Sequence, residues 1–117
     1  MVNTQILIIA LISVLVIGLV IYLIIRPKKI VERYDSGEKR RKYYLKNGIR
    51  VGTETVYYRN RQVNKIKPYR EGVLHGNVKT FFESGALYID ANYIQGELKG
   101  PFKIFDDNGK LIQIRDY

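Results

Sequence analysis

The feature that most constrains this chain is a 24-residue repeat that runs without a gap through its C-terminal two-thirds. Gly48, Gly72 and Gly96 are spaced by 24, and so are Gly52, Gly76 and Gly100. Tyr57, Phe81 and Phe105 keep the same step, followed by Val63, Leu87 and Leu111, and by Tyr69, Tyr93 and Tyr117. Gly37, Gly85 and Gly109 share another column, in which the unit between Gly37 and Gly85 carries Arg61. Self-similarity of this kind means that one supersecondary unit has been copied, and that neighbouring copies bury what a single copy cannot.

Each copy reads as a β-hairpin. Asn77 to Phe82 is rich in branched and aromatic residues, Glu83-Ser84-Gly85 supplies a turn, and Leu87, Ile89, Ala91 and Tyr93 recur at the period of two of a half-buried strand. Gly48, Gly52, Gly72, Gly76, Gly96 and Gly100 mark the turns into successive units, and Gly85 and Gly109 the hairpin tips. The expected fold is all-β: antiparallel hairpins in an elongated, meandering sheet. Tyr57, Phe81, Phe105, Val63, Leu87 and Leu111 are its expected core ladders. Arg61 and the polar run Gln62–Lys67 before Pro68 make the first unit the least regular, and proline there argues against a central ladder position.

Ahead of the repeat lies an apolar run. Ile6 to Ile25 holds 16 Ile, Leu or Val in 20 positions, and the first 25 residues carry no charge. As a helix it would cover ~30 Å, the thickness of a bilayer's hydrocarbon core. Its aliphatic residues contribute roughly −5 to −10 kcal/mol on an insertion scale. A cleaved signal peptide would show a basic leader, a shorter apolar stretch and a small-x-small site. Met1–Gln5 has no Lys or Arg, and Ile24-Ile25-Arg26-Pro27 offers no such site. The expectation is therefore a transmembrane helix over 1–25, a basic juxtamembrane linker with a degenerate partial repeat over 26–44, and three hairpin repeats over 45–117.

Charge sets the expected topology. All 20 Lys and Arg lie at or beyond Arg26; residues 26–50 carry a net +7 and residues 51–117 only +2. The positive-inside rule places the N-terminus outside and the repeats in the cytoplasm. Arg26, Lys28, Lys29, Arg33, Lys39, Arg40, Arg41 and Lys42 are the residues expected at the membrane surface, facing anionic headgroups. The small excess in the folded part argues against nucleic acid. The absence of cysteine removes disulfides, thiol catalysis and zinc–thiolate sites.

Nothing in the sequence assembles an active site. His75, the only histidine, falls in a turn column that also holds Val51 and Lys99. Asp106-Asp107-Asn108-Gly109 lacks the spaced ligands and closing glutamate of a calcium loop. Neither a phosphate loop nor a nucleophile–base set is present. The reading is a non-enzyme without cofactor or metal.

The units Tyr69-Arg-Glu-Gly72-Val-Leu-His-Gly76 and Tyr93-Ile-Gln-Gly96-Glu-Leu-Lys-Gly100 resemble the MORN-repeat variant found in bacterial proteins labelled YwqK-type antitoxins. The resemblance covers about Tyr34 to Tyr117. It implies hairpins in an elongated sheet, a non-catalytic scaffold for protein contacts and an association with lipid. The expected function is a membrane-anchored binding protein with a protein partner. The alternatives are an antitoxin or immunity-type protein that neutralises a toxin by binding, and an envelope-facing domain on a membrane stalk. The last hairpin is expected to present an open C-terminal sheet edge, which pairing with another copy or a partner strand would cover.

Overall fold

The computed structural model describes residues 3–117. Helix α1 covers Thr4–Ile25; the Asn3 side chain caps it by accepting from the Gln5 amide, and no residue along it is buried. It has the length and apolarity to cross a membrane. Of the segment expected over residues 1–25, α1 covers Thr4–Ile25, and Met1 and Val2 lie outside the described residues. At its other end Arg26 is already extended (φ −65°, ψ 143°). Pro27 enforces that exit, because a residue before proline is excluded from the helical region.

The rest is one antiparallel sheet. Its strands are β1 (Lys28–Arg33), β2 (Lys39–Lys46), β3 (Ile49–Tyr57), β4 (Val63–Arg70), β5 (Val73–Leu74), β6 (Gly76–Phe81), β7 (Leu87–Ile94), β8 (Glu97–Leu98), β9 (Pro101–Phe105) and β10 (Leu111–Asp116). The long strands follow chain order across the sheet, with β5 returning on β4 and β8 on β7. The molecule is elongated, 76 × 38 × 23 Å.

Two turns alternate along the chain, and both keep the 24-residue step. At the hairpin tips the same pair of backbone bonds recurs four times: Tyr34, Tyr58, Phe82 and Asp106 each donate to the carbonyl four residues on, and Gly37, Arg61, Gly85 and Gly109 each donate back three residues. At the other end, Asn47-Gly48, Glu71-Gly72 and Gln95-Gly96 form two-residue turns with φ positive at both positions. That is the hairpin turn whose twist matches the strands, and it favours glycine in second place. The Gly72 amide reaches across to the Arg50 carbonyl (2.9 Å), and the Gly96 amide to that of Leu74 (2.8 Å). The second and third of these turns are thus fastened to the unit before them.

The sequence-derived ladders meet across the hairpins: Tyr57 opposite Val63, Phe81 opposite Leu87, Phe105 opposite Leu111. They do not close a core. With one layer of sheet, only Ala91 (2% exposed) and Glu54 (1%) among the described residues are fully buried, and Leu111 is 44% exposed. The other five ladder residues are half-buried.

The segment read as a linker is folded. β1 pairs with β2 along its whole length, and its hairpin tip repeats the geometry of the later ones. A complete fourth hairpin stands where the sequence suggests a linker with only a degenerate partial repeat. Charged side chains hide this first hairpin from a hydrophobicity reading, yet a strand in a single-layer sheet needs no apolar face to pair. Likewise β4, with its polar run and Pro68, lies in the interior of the strand order. Pro68 is accommodated where β4 leaves β6 for β5; its carbonyl accepts from the His75 amide (3.1 Å). Gly76, at φ 120°, follows from this: a β-carbon there would sit 3.1 Å from the Pro68 ring.

Arg61 occupies the glycine column of the hairpin tips at φ 71°. A side chain in the left-handed region costs about 1–2 kcal/mol, partly offset because glycine is more flexible when unfolded. Arg61→Gly is therefore expected to stabilise the sheet by about 0.5–1 kcal/mol. A higher urea midpoint for the full chain in mild detergent would show it; an unchanged or lower one would refute it.

Candidate binding surface

Strand pairing sorts the side chains onto two faces. On one face Glu32, Arg41, Tyr43, Arg50, Glu54, Lys67 and Tyr69 converge from β1 to β4. Glu54 is the centre of the group. Its carboxylate lies 2.8 Å from Arg50 Nη1, 3.5 Å from Arg41 Nη1 and 3.6 Å from Lys67 Nζ. Arg41 also binds Glu32 through Nη2 (2.7 Å) and Nε (2.9 Å). The Arg50 guanidinium stands over the Tyr43 ring at 4.2 Å and near that of Tyr69 at 5.4 Å. One buried carboxylate is thus enclosed by three cations, and the cations rest on aromatic rings that partly desolvate them.

The 24-residue columns show what this cluster replaces. Arg50 aligns with Leu74 and Leu98, Glu54 with Val78 and Phe102, Lys67 with Ala91, and Arg41 and Lys65 with Ile89. In the C-terminal half of the same face, Val78 opposes Ala91 and Ile89 is paired with Ile104. The face changes from charged to apolar midway along the sheet while the backbone repeats, and the outermost strand then returns Gln113 and Arg115 to the Lys65 and Lys67 columns. The sequence holds the signal for the cluster, charged residues standing in apolar columns, but those positions otherwise read as surface charge.

A second set of contacts ties neighbouring hairpin tips. The Tyr34 hydroxyl donates to the Tyr57 carbonyl and the Tyr58 hydroxyl to that of Phe81, both at 2.7 Å. The next residue in that column, Phe82, has no hydroxyl and packs on Tyr88 with ring centroids 4.5 Å apart. Arg59 spans the same gap, binding Asp35 at 2.9 Å and covering the Tyr34 ring.

The eight basic residues expected on the membrane do not form one stripe. Arg26 ends α1. In the first hairpin, Lys28 and Arg41 belong to the Glu54 face, and Lys29 and Lys42 to the opposite one. Arg33 and Lys39 oppose each other beside the hairpin tip, with Arg40 next to Lys39. Arg41 is engaged by Glu32 and Glu54, so it is not an open headgroup contact. The expected turn glycines stand at positive φ: Gly48, Gly72 and Gly96 in the two-residue turns, Gly52, Gly76 and Gly100 just after them, and Gly85 and Gly109 at hairpin tips. His75 accepts from the Gln95 amide through Nδ1 (3.3 Å), linking consecutive turns. Asp106 Oδ1 caps its own turn by accepting from the Asn108 and Lys110 amides. No group of three potential metal ligands forms among the described residues.

Residues 74–95 and 98–117 match the family model of the MORN repeat variant. No curated protein and no solved structure matches the chain. The two MORN segments are the units whose columns carry Leu74, Val78, Ile89 and Ala91. The match does not extend to the hairpins that hold the Glu54 cluster, although their turns have the same geometry.

Burying Glu54 is tolerable only while its cations stay in place. Glu54→Gln is expected to cost about 2–3 kcal/mol, toward the low end for a broken buried pair because the cations reach water and can rehydrate. Arg50→Leu/Glu54→Val/Lys67→Ala, which copies the later units, should unfold within about 1 kcal/mol of the parent. Urea titration of both variants decides this; a triple variant no better than Glu54→Gln would refute the exchange.

Acid should act on the same half. The Arg41 hydrogen bond holds the Glu32 carboxyl below the ordinary glutamate value of 4.5, and Arg59 holds Asp35 below 3.8. The hydrogen bond from Ser36 lowers Glu38. A depressed carboxyl contributes stability above its unfolded value and loses it as pH falls through the folded one. The urea midpoint should therefore be level from pH 7 to about 5 and decline below that. Glu32→Gln should make the decline shallower, as parallel titrations would show.

Proposed function

We propose that the protein is a membrane-tethered, non-catalytic binding scaffold, its sheet held at the cytoplasmic surface by α1. The observation that carries this reading is a one-layer sheet joined to an apolar helix by only Arg26 and Pro27. A sheet without a second layer leaves both faces available to a partner, and here one face offers a charged half and an apolar half. The match of residues 74–95 and 98–117 to the MORN repeat variant supports a binding role. The basic residues just beyond α1 support the cytoplasmic orientation under the positive-inside rule. The open faces favour a protein partner, and the exposed basic side chains near Pro27 favour anionic lipid beneath it.

The absence of native cysteine makes single-cysteine reporters unambiguous. Thr4→Cys is expected to react with an impermeant maleimide on intact cells, and Ser84→Cys only after lysis. Ser84→Cys carrying a photocrosslinker should capture one dominant protein, with capture competed away by excess unlabelled chain. Labelling of Ser84→Cys from outside would overturn the cytoplasmic placement and favour the envelope-facing alternative. Crosslinks that excess chain does not compete would overturn the scaffold role, and a captured toxic enzyme would move the role to neutralisation.

A further inference from the structure

Beside the first hairpin tip is an open cavity of about 570 Å³. Arg33, Lys39 and Arg61 line it together with Glu38 and Tyr57. Three features bear on these cations, which share with most Lys and Arg of the chain the lack of a carboxylate within 4 Å among the described residues. Glu38, the one acid in the lining, is occupied by a hydrogen bond from Ser36. Arg33 reaches the cavity with its guanidinium steadied by the Gly37 carbonyl (3.0 Å).

The third feature is conformational. Arg61 holds a left-handed backbone at a position where the other three hairpin tips use glycine. Nothing in the turn requires arginine, since the same two backbone bonds form around Gly37, Gly85 and Gly109. Strain of this kind persists where a side chain is needed for something other than folding.

We propose that this cavity is an anion site for a phosphate monoester. With Glu38 counted, the lining carries a net +2, which matches the charge of between −1.5 and −2 on a monoester near neutral pH. Arg33 and Arg61 supply planar forks that bind two phosphate oxygens at once, and Lys39 adds a point charge opposite Arg33. A carboxylate would leave one positive charge uncompensated. The site lies at the end of β1 away from α1, six residues of strand from Pro27. The monoester is either a soluble molecule or the headgroup of a lipid, and the chemistry of recognition is the same.

The test uses the full chain in phosphatidylcholine nanodiscs, titrated calorimetrically with inorganic phosphate and with O-phosphoserine, and separately in nanodiscs containing phosphatidic acid. Saturable binding of the soluble monoesters assigns a free ligand. Saturation confined to phosphatidic acid, read as an Arg61-dependent shift of its phosphorus resonance, assigns a lipid. In either case Arg61→Gly should weaken binding by roughly tenfold or more, as expected for loss of a charged hydrogen-bond donor. Lys39→Gln should weaken it less. Arg61→Gly is expected to fold at least as stably as the parent, so its loss of binding would not reflect unfolding. No saturable binding of any probe, or equal binding by Arg61→Gly, would overturn the site; either result leaves the scaffold reading standing.

Discussion

A one-layer sheet has almost no interior, so the hydrogen bonds at its turns carry responsibilities that a hydrophobic core assumes elsewhere. Apart from Ala91 and Glu54, every described residue keeps some contact with solvent. Register must therefore come from the backbone. It is set by the four-fold repeated bond pair at the hairpin tips and by the amides of Gly72 and Gly96, which fasten their two-residue turns to the unit before. The Tyr34 and Tyr58 hydroxyls reinforce the same step from the side. Once that step is fixed, the two faces are determined and side chains are free to vary.

They vary in a patterned way. The C-terminal units present aliphatic and aromatic residues, while the N-terminal units place Glu54, Arg50, Lys67 and Arg41 in the same columns. Apolar contact and a saturated ion cluster are two different solutions to covering one side of a strand. The second is nearly neutral in net stability but strongly punishes the loss of one member. It also keeps the part of the sheet nearest α1 polar.

The antiparallel fold and the turn positions are legible in the sequence because glycine at 24-residue intervals has few meanings other than a recurrent positive φ. What escapes it has a common cause. The hairpin of β1 and β2, the ion cluster and the cavity cations are all built from Lys, Arg and Glu, residues that a periodicity reading assigns to solvent. Leu111 errs the other way, since its column suggests a core and its place on the outer strand β10 leaves it exposed. Arg61 and Pro68 look like breaks in the repeat; the structure absorbs one by backbone strain and the other at a change of strand partner.

Because each hairpin touches only its neighbours, the sheet behaves as a short linear array whose ends can respond to different variables. Its charged half is governed by ionic strength and proton activity, its apolar half by temperature and chaotropes. Cooperativity between them passes through the contacts that join the hairpin of β3 and β4 to the next: the pairs of β4 with β5 and β6, the His75 amide on the Pro68 carbonyl and the Tyr58 hydroxyl on the Phe81 carbonyl. A linear array of this kind opens by fraying from one end, with the helix-proximal hairpins able to loosen in salt or acid while the MORN-matched units stay paired.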